Sequence, residues 1–314
     1  MGSLKRVKSF DDLTHKQWIA LGTKMGGVQK VIAVLQGDKN VILEDICVLV
    51  DKNGRCIPQR GVVTANVCDP SADYRFEGLT GYVNYATIIL MWEALFEQKA
   101  GMTPVEFEQR IEAIKQRVAT WSMASKPQIA NLFAGPHFPI ILPQLPAGDH
   151  GIIIRNHILP VVERAYLMAF HNGEFTSNRH EDLAENTKIV DERHAKLVAD
   201  LEQGPIPGIM CYPLQGFDII AQQQMAALMP DFISLAGAIE PGVTLALYPK
   251  LLAGAKTPNQ DCSAIRWQPG LLDPSTLLYI SRSYPDGDDE CSFDGPYNLN
   301  DVYGHHSGGF FVRG

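Results

Sequence analysis

The sequence lacks every short motif that marks a common nucleophilic or nucleotide-binding site. It has no G-x-S-x-G, no G-x-x-x-x-G-K-[ST] and no G-x-G-x-x-G. The six cysteines contain no C-x-x-C pair, so a structural zinc site or a thioredoxin-like redox pair has no support. Cys211 lies at the end of the strand predicted over 209–212. A nucleophile is conceivable there, but we interpret Cys211 as an inert core thiol.

Positively charged residues are also scarce: the chain has 27 Lys and Arg residues but 35 Asp and Glu residues, and its formal net charge is -8. Neutralising phosphates needs a basic face, so this balance argues against nucleic acid as the main partner. The opening MGSLKRV has no apolar stretch typical of a secretory signal. The most apolar window, 86–96, is too short to cross a bilayer. We therefore expect a cytoplasmic protein with no membrane or nucleic-acid partner.

An amphipathic helix over 103–123 is the best-specified element of the chain. Thr103 and Glu106 match a capping box, and Pro104 occupies the first helical position. Apolar residues then recur at helical spacing and place one stripe on a single face. The stripe consists of Phe107, Ile111, Ile114, Val118 and Trp121.

Other elements are predicted from turn signals and apolar runs. Asn53-Gly54 predicts a two-residue hairpin loop between strands 41–50 and 55–67, with Cys56 opposite Asp51. The segment 82–99 is apolar nearly all round, which predicts a buried helix packed on the helix 103–123. Further along the chain we expect a strand at 138–142 that suits an edge or a bulge better than a central position. We also expect a strand at 151–155, a loop at 174–179 and a helix at 181–203.

The order of these elements predicts the fold class and a domain boundary. Five prolines between 125 and 146 exclude a long helix there. We therefore predict a mostly helical domain over 1–124, with the β-hairpin at 41–67, and an α+β domain over 125–314. Helices and strands alternate irregularly, which favours an α+β fold with a helical N-terminal part, a mixed middle and a β-rich C-terminal part.

Histidine spacing favours one candidate site. His180 and His194 lie fourteen residues apart at or near the predicted helix 181–203, about 21 Å along its axis, so they cannot bind one ion. We interpret both as surface or helix-end residues.

The C-terminal loop NLNDVYGHHSGG holds several reactive side chains between glycines, where backbone can approach a ligand closely. The candidate catalytic residues are Asp301, Tyr303, His305 and His306. Asp301, His305 and His306 could also supply a two-histidine, one-carboxylate metal site. The interpretation we prefer to such a site is a C-terminus that packs down through Phe310 and Phe311. No particular cofactor and no cofactor-binding residues are indicated.

Several segments, taken in order, resemble an uncharacterised bacterial protein family of unknown function. They are MTPVEFEQRIEAI, FPIILPQLP, EPGVTLALYPKLL, CSAIRW and LLYISRSY. The resemblance covers the last two-thirds of the chain and leaves out the first 101 residues. It implies a bacterial cytoplasmic setting and no activity.

Two hypotheses about function follow. The preferred one is a non-enzymatic binding or structural-interaction protein, with a protein partner or a homo-oligomer formed through the apolar helices. The alternative is a small-molecule enzyme, metal-assisted or not, that uses Asp301, His305 and His306. Metal content of the purified protein distinguishes them.

Overall fold

The fold was analysed in a computed structural model. The structure describes residues 14–25, 27–36, 38, 48–65, 67, 84–121, 128–170, 174–177, 183–252, 258–268, 279–283, 290–294 and 306–314. The chain divides into two compact units, Met1–Asp45 and Ile46–Gly314. The described elements form an α+β fold, as predicted.

The first unit contains two short helices in its described part. Helix α1 spans His15–Lys24 and begins with a capping box, in which Gln17 N–H donates to Thr14 Oγ1 and Thr14 N–H donates to Gln17 Oε1. Helix α2 spans Val28–Leu35 and starts after Gly27, whose φ of 93° suits a residue without a side chain.

The second unit contains the remaining helices, and its best-specified one matches the sequence prediction. Helix α4 has the predicted capping box, with Thr103 N–H donating to Glu106 Oε2 at 2.7 Å. Its apolar stripe is buried except for Trp121, which is half-buried. The helices are α3 (Tyr85–Phe96), α4 (Pro104–Trp121), α5 (His150–Ile153), α6 (Leu159–Ala169), α7 (Glu192–Leu201), α8 (Ile219–Ala227) and α9 (Ile239–Leu247). A π-helical turn, Ile154–Ile158, joins α5 to α6, and a 3-10 turn, Pro249–Leu252, follows α9.

The strands form one large mixed sheet and one small pair. They are β1 (His137–Leu142), β2 (Glu174–Ser177), β3 (Thr187–Ile189), β4 (Ile206–Gln215), β5 (Ile233–Leu235), β6 (Asn259–Asp261), β7 (Ile265–Trp267), β8 (Tyr279–Ser283), β9 (Glu290–Asp294) and β10 (His306–Arg313). The large sheet has the order β1-β4-β10-β6-β8-β9-β2, with β5 also paired to β10, and β3 pairs with β7. Strand β1 lies at the edge, as its Pro139 predicts.

Strands β4 and β10 run through the centre of the core. They are antiparallel, while β10 and β6 are parallel. Helices α4 and α9 both contact β4, and their buried apolar residues belong to the same core. Trp92 of α3 adds a buried hydrogen bond, donating from Nε1 to Ile141 O at 2.6 Å. No described helix has both the length and the apolar character needed to cross a bilayer.

The predicted boundary between 124 and 125 falls inside the second unit, which begins at Ile46. Helix α4 precedes that boundary and β4 follows it, yet the two share one apolar core. The proline-rich segment is therefore a packed connection in its described part, where β1 pairs with β4.

The predicted hairpin differs from the described backbone over 48–65. Val50 faces Cys56 in an isolated antiparallel bridge, so the predicted pairing of Cys56 with Asp51 is wrong by one residue. The reason is local: Asp51 Oδ1 accepts hydrogen bonds from the N–H groups of Asn53 and Arg55, which lengthens the loop.

The strands of the predicted hairpin do not continue as a regular ladder within 48–65. The N–H of Cys56 donates to Pro213 O, and the N–H of Leu49 donates to Gln128 O. These two N–H groups are thus satisfied by distant parts of the chain. Across the hairpin, the N–H of Asp51 donates to Arg55 O and the N–H of Ile57 donates to Leu49 O. The first predicted strand, 41–50, lies outside the described residues except for 48–50.

Two predictions in the middle of the chain are wrong. The segment 151–155 is helical, because Asp149 Oδ1 accepts from Ile152 N–H and caps α5. Within 174–179, the described residues form β2, which pairs in parallel with β9. That pairing joins residues more than 100 positions apart, so local sequence gives no sign of it.

The predicted helix 181–203 is half as long as expected. Helix α7 begins only at Glu192, because Asp191 caps it by accepting from His194 N–H at 2.8 Å. The preceding Thr187–Ile189 is strand β3, paired with β7. His180 lies outside the described residues, so its predicted place beside this helix is untested.

Candidate functional site

Of the four candidate residues in the C-terminal loop, the structure describes only His306. Asp301, Tyr303 and His305 lie outside the described residues, so the predicted catalytic and metal-binding set stays a prediction. His306 is the first residue of β10 and only 3% of it is exposed.

His306 belongs to a buried polar network that links β10, β6 and α8. Its Nδ1 lies 2.7 Å from Asp261 Oδ1, and the other carboxylate oxygen accepts from Gln222 Nε2 at 2.7 Å. Gln222 Oε1 accepts in turn from the Ser263 hydroxyl. The buried carboxylate therefore has a hydrogen-bond donor at each oxygen, which offsets the cost of taking it out of water.

The second ring nitrogen of His306 faces the partly exposed side chain of Asn259, with Nε2 and Nδ2 3.2 Å apart. Since an amide nitrogen can only donate, Nε2 accepts and Nδ1 carries the proton toward Asp261. A carboxylate fixes the tautomer in the same way for general-base and metal-binding histidines. The arrangement therefore keeps Nε2 of His306 as a proton acceptor.

A second histidine–carboxylate pair joins α7 to α9. His194 Nδ1 lies 2.8 Å from Glu240 Oε1, and Glu240 Oε2 accepts from Gly237 N–H at 3.0 Å. Both side chains are fully buried. Of the two predicted alternatives, a surface position is therefore wrong, whereas a position near a helix end is confirmed, because His194 lies in the first turn of α7. A Cβ atom at residue 237 would collide with the His194 ring, so only glycine fits there.

His150, the first residue of α5, packs edge-on against His194 with ring centroids 5.6 Å apart. Neither ring nitrogen of His150 has a hydrogen-bond partner among the described residues. Burial, and second the neighbouring His194, lower the pKa of His150 to about 3. This histidine is therefore neutral at physiological pH and has no charge to offer a ligand.

Sequence reasoning found His306 but missed the carboxylates that hold both buried histidines. Asp261 lies 45 positions before His306, and Glu240 lies 46 positions after His194. One signal was present: Glu240 is the only charged residue in the run ISLAGAIEPGVTLALY. A lone carboxylate in such a run indicates a buried partner.

Sequence reasoning also missed an apolar face of the second unit that is exposed to solvent. We call it the α3–α6 surface, and it consists of Leu90, Met91 and Ala94 of α3 with Leu167 and Met168 of α6. Leu90 is 68% exposed and Met168 is 69% exposed. The sequence predicted that the whole of α3 is buried. The structure corrects this, because only one face of α3, with Ile88, Ile89, Trp92 and Leu95, enters the core.

A cleft of about 340 Å³ lies in this surface, between α3 and α6. Apart from Arg164, the described residues that line it are apolar. The lining residues are Met91, Ala94, Leu95, Arg164, Ala165, Met168, Ala169, Ala246 and Pro249. Its volume falls in the range of small-molecule pockets, which are mostly apolar with a few placed polar groups. We call it the apolar cleft.

Arg164 and Leu95 also line a second, more polar depression of about 280 Å³. Its polar lining consists of Glu97, Gln98, Asn156, His157 and Arg164. We call it the polar depression. Arg164 lines both, so the two share its side chain.

The described cysteines Cys56, Cys211 and Cys262 are free and buried. Burial raises the pKa of all three thiols, and Cys211 accordingly lies in the core as predicted. Among the described residues, no three His, Cys, Asp or Glu side chains are grouped so that they could hold a metal ion. No family model, curated protein or solved structure matches the chain.

Proposed function

We propose that this protein is a non-enzymatic binding protein and that it binds its partner through the α3–α6 surface. The observation that supports this function is the composition of α3, which is apolar nearly all round although only one face enters the core. A helix of this kind is normally buried on all sides. Contiguous exposed apolar surface on a soluble protein typically marks an interaction site or a ligand groove.

Two further expectations belong to the same proposal. The bacterial cytoplasm suits the free thiols of Cys56, Cys211 and Cys262, because reducing compartments keep thiols from pairing. Association into a homo-oligomer would bury Leu90 and Met168, which now face solvent. Sedimentation of the full chain measures that association.

Binding of a neutral apolar dye, Nile red, tests whether the α3–α6 surface accepts ligands. We expect saturable fluorescence enhancement with the folded full chain. Ala94→Phe fills the apolar cleft from an exposed helix position and should weaken dye binding at least fivefold. Ala113→Phe is the matched control, since Ala113 is an exposed alanine on α4 outside the cleft. Equal dye binding by both variants, or none by the wild type, would refute the proposal.

The second candidate function is acid–base or metal-assisted chemistry at His306. The specific observation in its favour is the Asp261 carboxylate at 2.7 Å from Nδ1, which orients Nε2 as an acceptor. Here the test is elemental analysis of the purified protein, together with the His306→Ala variant. Stoichiometric metal that is lost in the variant supports this candidate. Metal-free protein whose stability is unchanged by His306→Ala eliminates its metal-assisted form.

A further inference from the structure

In the part of the chain that the structure describes, Arg164 is the one cation that lines both the apolar cleft and the polar depression. It lies on α6, and its guanidinium donates one hydrogen bond to the carbonyl of Leu95 near the end of α3. That bond holds the side chain across the gap between the two helices. The charged group is therefore placed where an apolar space meets a polar one.

The guanidinium remains accessible, because 44% of the Arg164 side chain is exposed. Its Nη1 lies 3.2 Å from Glu97 Oε1, and the Glu97 side chain is 78% exposed. Exposed ion pairs of this kind contribute little to stability. A ligand anion can therefore replace Glu97 at Arg164 with little loss to the fold.

We propose that the α3–α6 surface binds an aliphatic carboxylate, with the hydrocarbon chain in the apolar cleft and the carboxylate on Arg164. The inference rests on the proposed binding function and names its ligand class. Charge complementarity selects this occupant. Among the described residues, Arg164 is the only charged one lining the apolar cleft, and carboxylates match the guanidinium fork. Asn156 and His157 border the polar depression and offer donors for the rest of the head group.

Isothermal titration of the full chain with octanoate and with 1-octanol tests the inference. The two ligands have the same number of carbons and differ in charge. We expect octanoate to bind at least tenfold more tightly. Arg164→Gln should remove that preference, and Arg164→Lys should restore part of it. Arg110→Gln, which removes an exposed arginine of α4, is the matched control and should leave both affinities unchanged.

Glu97→Gln should change octanoate affinity in the direction opposite to Arg164→Gln. Removing the competing carboxylate should tighten octanoate binding about two- to fivefold, as expected for the loss of one surface ion pair. Affinity for 1-octanol should not change. Weaker octanoate binding in this variant would overturn the assignment of the head group to Arg164.

The outcomes separate this inference from the proposed function. Equal binding of octanoate and 1-octanol, abolished by Ala94→Phe, overturns the inference and leaves the binding function standing. Nile red binding without octanoate binding likewise overturns the inference and leaves the binding function standing. A dimer that Ala94→Phe dissociates, with no octanoate binding, shows that a second copy occupies the surface and also overturns the inference. Failure of both dye and octanoate to bind removes the proposed function itself.

Discussion

Replacement of His150 by phenylalanine should make the protein more resistant to acid. The pKa of His150 is lowered from 6.5 to about 3, first by burial and second by His194. In the unfolded chain the imidazole takes up a proton near pH 6.5, but in the folded protein only near pH 3. The stability that depends on neutral His150 is therefore fully present above pH 6.5 and is lost as the pH falls toward 3.

The size of the effect follows from this window of about 3.5 pH units. At about 1.36 kcal/mol per unit, protonation of the unfolded chain at His150 removes about 5 kcal/mol between pH 6.5 and 3. The loss between pH 8 and pH 5 is about 2 kcal/mol, since only about 1.5 units of the window lie above pH 5. At pH 8 the variant should be at least as stable as the wild type, because the two ring nitrogens of His150 have no hydrogen-bond partner among the described residues.

Urea unfolding at pH 8 and at pH 5 measures the effect. Between these two pH values, the free energy of unfolding should fall by about 2 kcal/mol more in the wild type than in His150→Phe. The reason is that only the wild type has an imidazole at the buried position 150. His157→Gln is the matched control, since it removes an exposed imidazole from the adjacent π-helical turn. A difference in unfolding free energy between wild type and His150→Phe that is the same at both pH values would refute the reasoning.

Three further substitutions test the buried contacts. Asp261→Asn should lower the free energy of unfolding by about 3 kcal/mol in urea titrations at pH 7, because it removes the charge that His306 Nδ1–H faces in the core. Gly308→Ala should lower the melting temperature, with a loss of about 1–3 kcal/mol, because the added Cβ collides with the amide of Gln222. Trp92→Phe should cost about 1–3 kcal/mol in urea titrations, since it leaves a buried β1 carbonyl without its indole donor. Unchanged stability in any of them would show that the contact in question is not formed in solution.

Elements with complete local signals were predicted correctly. Helix α4 carries its capping box and its apolar stripe within its own sequence, so both its start and its buried face were predicted. Strand β1 was placed at a sheet edge because Pro139 removes a backbone donor.

Elements that depend on distant pairing were predicted poorly. The predicted helix 181–203 runs through Thr187–Ile189, which is a strand only because β7 lies beside it. The polar network shows the same limitation, since His306 was named while Asp261 was not. Helical apolar spacing cannot reveal a partner 45 positions away. The composition of α3 likewise cannot distinguish a face turned to the core from a face exposed to solvent.

Methyl resonances of methionine report most directly on binding at the α3–α6 surface. Met91 and Met168 line the apolar cleft, whereas Met210 and Met225 are fully buried in the core. In protein with ¹³C-labelled methionine methyl groups, octanoate should shift the Met91 and Met168 signals in a saturable way and leave those of Met210 and Met225 in place. Signals of Met91 and Met168 that stay unchanged at saturating octanoate and Nile red would contradict the account.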